Sequence, residues 1–190
     1  MKEIEAKFKL AEDVSFDLVV EKFSGKYNFS REPKIQQDSI YLFPEQIDRP
    51  IVTGSKIARV RIVTQGSTKV KLLTLKVQTE KAMVSDEYEI EISNAESAQA
   101  LLVGLGMEHN VSVRKKRVEF KTDEYTVCVD EVDKLGVFIE LEILANARDD
   151  LDIDVVQLRM KQYLNKLGLK GEINMTPYDT QVKNYDESRA

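Results

Sequence analysis

The sequence is poor in the residues from which disulfides and thiolate metal sites are built. It has one cysteine, Cys128, and one histidine, His109, among 190 residues. A single cysteine supports neither a disulfide within the chain nor a cysteine-based metal site. We therefore expect Cys128 to be a small core residue in a reducing cytoplasm, and His109 to lie at the surface.

The sequence also lacks an apolar run of membrane-spanning length and an excess of basic residues. It begins with charged residues, so we expect neither a signal peptide nor a membrane span. Its 33 acidic residues outnumber the 28 basic ones, which argues against binding to nucleic acid. This length predicts one domain over residues 1–182, followed by a polar tail at 183–190. The chain after Tyr178 is polar enough to be disordered.

Most of the chain alternates between apolar and charged residues, which predicts β-strands with two different faces. In residues 2–10, Ile4 and Phe8 share one face, whereas Glu5 and Lys7 share the other. Prolines and glycines separate successive strands too closely for helical crossovers, so we expect an antiparallel sheet. The pattern recurs near residues 57–63, 73–77, 86–92, 113–120 and 137–143.

Three segments have helical spacing instead, near residues 13–23, after Asn94, and near 149–167. Asn94 is a typical N-cap, and Gly25, Gly106 and Gly168 are placed to follow the three helix ends. The spacing predicts inward-facing residues at Val14, Leu18 and Val19, at Ala98, Leu101, Leu102 and Leu105, and at Leu151, Val155, Leu158 and Leu167.

The charged strand faces have two structural explanations, and the residues alone leave both open. The sheet can pack its apolar side on helices and expose its charged side to solvent. It can also close into a barrel whose lumen holds the charges. Arg59 and Arg61 share one strand face, and Glu87 and Glu89 share another. Because like charges repel, such ladders favour closure around a group of opposite charge.

The most specific motif is Glu3-Ile4-Glu5-Ala6-Lys7, in which two carboxylates and an ammonium share one strand face. Five further segments follow it in order: Arg59-Val60-Arg61, Thr74-Leu75-Lys76, Lys115-Lys116-Arg117, Asp130, and the residues LGVFIELE at 135–142. Together they resemble the CYTH family, which includes class IV adenylyl cyclases and thiamine triphosphatases. The resemblance spans roughly residues 1–182.

The resemblance implies an α+β fold, the triphosphate tunnel, in which helices surround a closed eight-stranded antiparallel β-barrel. It implies metal ligands at Glu3, Glu5 and Glu140, which would hold Mg or Mn, and catalytic roles for Glu5, Lys7, Lys115 and Arg117. Arginine and lysine suit phosphate binding, and carboxylates suit these metals. The implied phosphate-binding residues are Lys7, Arg59, Arg61, Lys76, Lys115 and Arg117. Further lumen acids would be Glu87, Glu89, Asp130 and Glu142.

Three positions depart from the family pattern. Ser85 stands where relatives often carry arginine, Val137 replaces a common acid, and Pro177-Tyr178 replaces a common Ser-Tyr pair.

The resemblance favours a cyclase that converts ATP to cyclic AMP and pyrophosphate. The alternatives are a triphosphatase that hydrolyses tripolyphosphate, thiamine triphosphate or a nucleoside triphosphate, and a non-catalytic nucleotide or polyphosphate binder. In each case the partner is a small triphosphate such as ATP, with no membrane or nucleic acid, and relatives that pair make a homodimer plausible.

Overall fold

The computed structural model describes residues 2–27, 29, 32–79, 84–145, 153–169, 171–174 and 176–189. The side chains of Lys2, Glu3, Leu144, Ala145 and Ile153 lie outside the described part. The described strands are β1 (Lys2–Leu10), β2 (Lys34–Leu42), β3 (Lys56–Gln65), β4 (Thr68–Gln78), β5 (Val84–Glu91), β6 (Glu108–Lys121), β7 (Thr126–Val132), β8 (Gly136–Ala145) and β9 (Gly171–Ile173). The described helices are α1 (Phe16–Ser24), α2 (Ala95–Gly104), α3 (Ile153–Lys166) and α4 (Tyr178–Glu187), with a 3₁₀ turn at Pro44–Gln46.

Strands β1 to β8 form a closed antiparallel barrel, which confirms the expected fold class. Their order around the barrel is β5-β4-β3-β2-β6-β7-β8-β1, and β1 returns to pair with β5. In the part of the chain that the structure describes, this closing pairing sets Lys2, Glu3 and Ile4 opposite Asp86, Ser85 and Val84. Beyond it, the same edge of β1 pairs with β9 from Phe8 to Leu10.

Alternating side chains place the apolar residues outside the barrel and the charged residues inside it. Ile4, Ala6 and Phe8 of β1 belong to a core cluster that includes Val19 of α1 and Met160 of α3. A second cluster lies between α2 and the outer faces of β2 and β3. The core therefore lies between barrel and helices, and the lumen is left to the charged strand faces.

The helices occur close to where the sequence places them, but the predicted inward faces are partly wrong. Leu18, Leu101 and Leu158 are exposed by 46%, 57% and 55%. The exposed residues also include Leu105 and Val155, and Leu151 lies outside the described residues. In α2 the small residues Ala95 and Ala98 face the sheet together with Leu102, because small side chains let the helix lie close to a curved surface.

The polar C-terminal segment is helical as far as Glu187, not disordered. Val182 of α4 is buried in an apolar cluster at one end of the barrel. Lys183 Nζ donates to Asp48 Oδ1 at 2.5 Å, and Lys134 Nζ donates to both carboxylate oxygens of Asp186 at 2.6 and 2.7 Å. One buried apolar side chain and surface ion pairs are compatible with an otherwise polar helix.

His109 is exposed and Cys128 is buried, as expected. None of the described helices is both long and apolar enough to span a membrane.

Candidate functional site in the barrel lumen

The barrel encloses a cavity of about 290 Å³ whose wall is formed by side chains of β1 to β6, β8 and the start of α4. The period of two along each strand directs these side chains inward. Most of the charged residues singled out in the sequence meet here: Glu5, Lys7, Arg59, Arg61, Lys76, Glu87, Glu89, Lys115, Arg117, Glu140 and Glu142. The side chain of Glu3 lies outside the described residues.

Asp130, on the same face of β7 as Cys128, is completely buried and lies against the cavity-lining side chains of Lys115 and Arg117. It accepts hydrogen bonds from Arg117 Nε and Nη2, each at 2.6 Å, and from Lys115 Nζ at 2.9 Å. Burial alone would raise the pKa of Asp130, but Arg117 and Lys115 hold it below its ordinary value. Asp130 therefore stays ionised and orients two cations.

Arg117 is shared among three carboxylates. Besides binding Asp130, it donates from Nη2 to Glu140 Oε2 and from Nη1 to Glu142 Oε1, the latter at 3.3 Å. Burial would lower the pKa of Arg117, but Asp130 raises it well above the ordinary value. Arg117 is thus a fixed positive charge at the base of the acidic group.

Glu5, Glu140 and Glu142 form a group that could hold a metal ion. One carboxylate oxygen from each lies within 4.8 Å of the others. These oxygens are the ligands that Mg and Mn prefer, so the donor set fits the cofactor that the resemblance implies. Glu142, which the sequence places only among the further lumen acids, joins Glu5 and Glu140 in this group.

Lys7 is buried at the centre of the site. Its Nζ donates to the carbonyl oxygen of Thr176 at 2.9 Å and lies 3.9 Å from Glu140 Oε1. It also lies 4.0 Å from the ring centroid of Tyr178. Burial lowers the pKa of Lys7, and Glu140 and Glu5 oppose that shift. Lys7 therefore links strand β1 to the segment that enters α4.

Arg61 and Asp38 form a buried pair that the sequence analysis missed. Arg61 Nε and Nη2 donate to the two oxygens of Asp38, both at 2.7 Å. Asp38 lies opposite Arg61 in the β2–β3 register, so its place on the inward face of β2 is the signal that could have revealed it. Two of the donors of Arg61 are consequently already engaged.

Arg59 and Lys76 face the cavity and contact side chains of the neighbouring strands. Arg59 Nη2 donates to Thr74 Oγ1 at 3.2 Å and lies 3.5 Å from Glu89 Oε2. Its Nε is buried and has no hydrogen-bond partner among the described residues. Lys76 pairs with Glu87 on the neighbouring strand. Arg59 thus retains a donor for an incoming acceptor.

Helix α4 contributes a site residue, Tyr178, that the sequence identifies only as part of a motif departure. The Tyr178 hydroxyl donates to Asp130 Oδ2 at 3.1 Å. Its ring lies 4.9 Å from Lys115 Nζ and packs edge-on against Phe138, with centroids 5.0 Å apart. Burial, Glu140 and Asp130 raise the pKa of Tyr178 well above its ordinary value, so the ring closes this end of the lumen as a neutral phenol.

The other two positions that depart from the family pattern, and the single cysteine, lie in different parts of the barrel. Ser85 is buried and lines the cavity. Val137 packs instead against the core cluster outside the barrel, so its replacement of an acid does not alter the cavity wall. Cys128 faces inward and donates from Sγ to Glu142 Oε1 at 3.4 Å. Burial raises the pKa of its thiol well above the ordinary value.

Comparison with known proteins agrees with this fold. The CYTH domain model matches residues 1–172, whereas no curated protein matches the sequence. The PH1819 protein of Pyrococcus horikoshii OT3 is 25% identical with a TM-score of 0.76, over 98% of this chain and 99% of that one. Two structures described as a "putative adenylate cyclase" are also similar. The protein from Vibrio parahaemolyticus is 20% identical with a TM-score of 0.69, over 94% of this chain and 95% of that one. The protein from Bacillus halodurans is 16% identical with a TM-score of 0.63, over 95% of this chain and 97% of that one. Since the family model spans most of the sequence, the chain belongs to the CYTH family.

Proposed function

We propose that the chain is a metal-dependent enzyme that processes a triphosphate in the barrel lumen, as a class IV adenylyl cyclase does when it converts ATP to cyclic AMP and pyrophosphate. The observation that carries the proposal is the meeting of six basic side chains and a three-carboxylate group in one cavity. Membership of the CYTH family supports triphosphate chemistry, and two similar folds belong to proteins each described as a "putative adenylate cyclase".

The basic residues divide into two groups by their existing partners. Arg61 and Arg117 are engaged by buried aspartates, so they supply fixed positive charge around the phosphates. Lys7, Lys76 and Lys115 also have carboxylate partners, whereas Arg59 makes longer contacts, to Thr74 at 3.2 Å and to Glu89 at 3.5 Å, with which an anion can compete. Arg59 is well placed to bind a phosphate oxygen directly, because it lines the cavity and arginine pairs strongly with phosphate.

Glu5, Glu140 and Glu142 would hold Mg or Mn, with Glu3 as the further ligand that the family resemblance implies. When bound, such an ion would supply positive charge that offsets the negative charge of the reacting phosphate. In cyclisation, the ribose 3′-hydroxyl bonds to the α-phosphorus while the bond to the bridging oxygen breaks and pyrophosphate leaves. Lys7, Lys115 and Arg117 would stabilise the departing charge. A lumen carboxylate can accept the hydroxyl proton.

The proposal is tested by incubating the protein with Mg or Mn and, separately, ATP, tripolyphosphate and thiamine triphosphate, and separating the products by chromatography. We expect cyclic AMP and pyrophosphate from ATP. Glu5→Gln should lower the rate by about a hundredfold or more, because it removes a charge at the reacting group. Glu12→Gln, at an exposed position in the loop after β1, is the matched control and should not change the rate.

Orthophosphate in place of cyclic AMP, lost in Glu5→Gln, would identify a triphosphatase and exclude the cyclase. Binding without turnover would identify the non-catalytic alternative. Turnover that survives Glu5→Gln would place the chemistry outside this carboxylate group and overturn the proposal.

A further inference from the structure

The outer side of β4 and β5 is apolar and lies largely outside the core. Leu73 and Leu75 of β4 lie opposite Ile90 and Tyr88 of β5, on the strand faces that point away from the lumen. Of these four, only Leu73 joins a core cluster formed by the described residues, the one beneath α2. Tyr88 and Ile90 are exposed by 61% and 59%. This part of the barrel wall therefore presents apolar side chains to solvent.

Helix α2 extends this apolar surface. Gln99 Nε2 donates to Ser39 Oγ of β2 at 3.2 Å, so that side of the helix faces β2. At 3.6 residues per turn, Leu101 and Leu105 lie on the other side, towards β4 and β5, and they are exposed by 57% and 62%. The apolar surface thus continues from β5 across β4 to the helix. We call it the outer apolar face: Leu73, Leu75, Tyr88, Ile90, Leu101 and Leu105.

The size of the outer apolar face fits a protein interface. Residues of this kind expose roughly 200 Å² each when nothing covers them, so the four exposed members leave on the order of 500 Å² open to solvent. Monomers rarely expose a contiguous apolar patch larger than a few hundred Å². A stable dimer buries about 800 Å² on each subunit, with a polar rim around an apolar centre. The face can therefore supply the centre of such an interface, and its surroundings the rim.

Charges of opposite sign lie at the two ends of the face. Lys69 is exposed near the start of β4, on the same strand face as Leu73. Asp86 of β5 lies opposite Val77, near the end of β4, and points outwards like Tyr88. Leu73 is midway between Lys69 and Val77, so each charge lies roughly 13 Å from the row that Leu73 forms with Ile90. The face is therefore complementary in charge to a copy of itself that runs in the opposite direction.

We propose that the outer apolar face binds the same face of a second copy of this chain, in a two-fold symmetric dimer whose axis runs across the strands along the row of Leu73 and Ile90. Rotation about this axis reverses the strand direction, so Lys69 of each copy lies beside Asp86 of the other. Lys71, which also points outwards, donates to Ser93 O at 2.7 Å, so its charge lies beside the start of α2. The lumen sides of β4 and β5 are not involved, and the inference does not depend on the proposed function.

The test is sedimentation equilibrium of the full chain over a range of micromolar concentrations. We expect the average mass to rise from 21.7 kDa towards twice that value. Ile90→Arg should weaken association by about a hundredfold or more, because it places two like charges beside the axis and removes apolar contact. Leu158→Arg is the matched control, since Leu158 is 55% exposed but lies on α3, and it should leave the mass unchanged.

Charge reversal tests the register of the dimer at positions outside the core clusters. Lys69→Asp and Asp86→Lys should each weaken association by about tenfold, because like charges then meet at both ends of the interface. The double variant should restore it, because both ion pairs form again with their signs exchanged. Thermal unfolding of each variant reports whether the fold is retained.

Three results would overturn the inference. A chain that remains monomeric at every concentration excludes a second copy and makes a different protein the occupant of the face. A dimer that Leu158→Arg dissociates and Ile90→Arg does not lies on another surface. A double variant that associates no better than either single one excludes the pairing of Lys69 with Asp86, and the proposed axis with it.

Discussion

Two arginines of the lumen each bind a buried aspartate through a pair of hydrogen bonds. Arg61 holds Asp38, and Arg117 holds Asp130. Forked pairs of this kind fix the guanidinium plane as well as its charge. Removing one partner of a buried pair is costly because it leaves the other charge unpaired. The lumen charges are therefore structural elements of the barrel as well as candidates for binding.

Asp38→Asn should lower the free energy of unfolding by about 3–5 kcal/mol at pH 7, since Arg61 stays charged and buried. Burial would raise the pKa of Asp38, but Arg61 outweighs it and holds that pKa well below the ordinary value. A depressed carboxyl pKa stabilises the fold above the unfolded-state pKa, about 3.9, and the stabilisation disappears as the pH falls towards the folded-state pKa. Urea unfolding should give a difference between the two proteins that is constant above about pH 5 and shrinks below about pH 4. A difference that persists unchanged at low pH would contradict this assignment.

For single residues, the sequence predicts the strand face on which a side chain lies better than it predicts the residue with which that side chain pairs. The alternation along β3 places Arg59 and Arg61 on the same face, and both do line the cavity. Their partners depend on how β2 and β3 align across the long connection between them, and alignment sets Asp38 opposite Arg61. That register is a long-range property, so composition and spacing do not predict which arginine is already engaged.

Among the elements, α4 shows most clearly how two kinds of contact differ in strength. The ion pairs of Lys183 with Asp48 and of Lys134 with Asp186 lie at the surface, where such pairs contribute at most about 1 kcal/mol. Val182 is buried in an apolar cluster, and Tyr178 reaches the buried Asp130. Apolar burial should therefore fix the helix more strongly than its ion pairs do.

Val182→Ala should destabilise the docked helix by about 2 kcal/mol, because it removes two buried methyl groups and leaves a cavity. Lys183→Ala should cost less than about 1 kcal/mol. Hydrogen exchange of the α4 amides measures both effects, with the amides of α1 as the internal reference. Equal effects of the two substitutions would show that the ion pair, not the apolar contact, docks the helix.

The helices also show why the location of a helix is easier to predict than the face that it buries. Asn94 accepts a hydrogen bond from Ser97 N at the start of α2, and Gly168 adopts a positive φ of 68° after α3. These local signals were therefore sufficient to predict where α2 begins and where α3 ends. The buried stripe of α2 was harder to predict, because its apolar residues surround more than one face. Sheet curvature selects the small alanines for contact and leaves Leu101 outside.

For the whole molecule, closure of the barrel depends on the pairing of β1 with β5. Among the described residues, β1 and β5 share three residue pairs, and the same edge of β1 pairs with β9 from Phe8 onwards, whereas β1 and β8 share eight pairs and β3 and β4 share ten. Since each pair adds hydrogen bonds and side-chain contacts, the β1–β5 seam is the part of the wall that opens with the least free energy.

Native-state hydrogen exchange should therefore show lower protection at the β1–β5 seam than at the β3–β4 pairing. Local opening of the seam needs only a few broken contacts, whereas opening the longer pairing approaches global unfolding. Equal protection of both regions would mean that the barrel opens only as a unit, contrary to this expectation.

Closure itself was not determined by the residue pattern. An open sheet and a barrel require the same alternation, and only the one-sign charged faces and the family resemblance favoured the barrel. The difference lies in strand tilt and stagger, which arise from the whole set of registers. Ile4 opposite Val84 is such a contact, between residues 80 positions apart in the sequence.

The balance of charge in the cavity has a consequence for how a ligand arrives. Among the described side chains, seven acidic and six basic ones line it, so the lumen already carries its own counter-ions. A cleft with a large positive excess attracts anions from a distance, and association with it slows steeply as ionic strength rises. A tunnel whose acidic and basic side chains nearly balance exerts little long-range attraction on anions. Its selectivity for an anion must arise at short range, as the ligand replaces the lumen carboxylates as the partner of each basic side chain in turn.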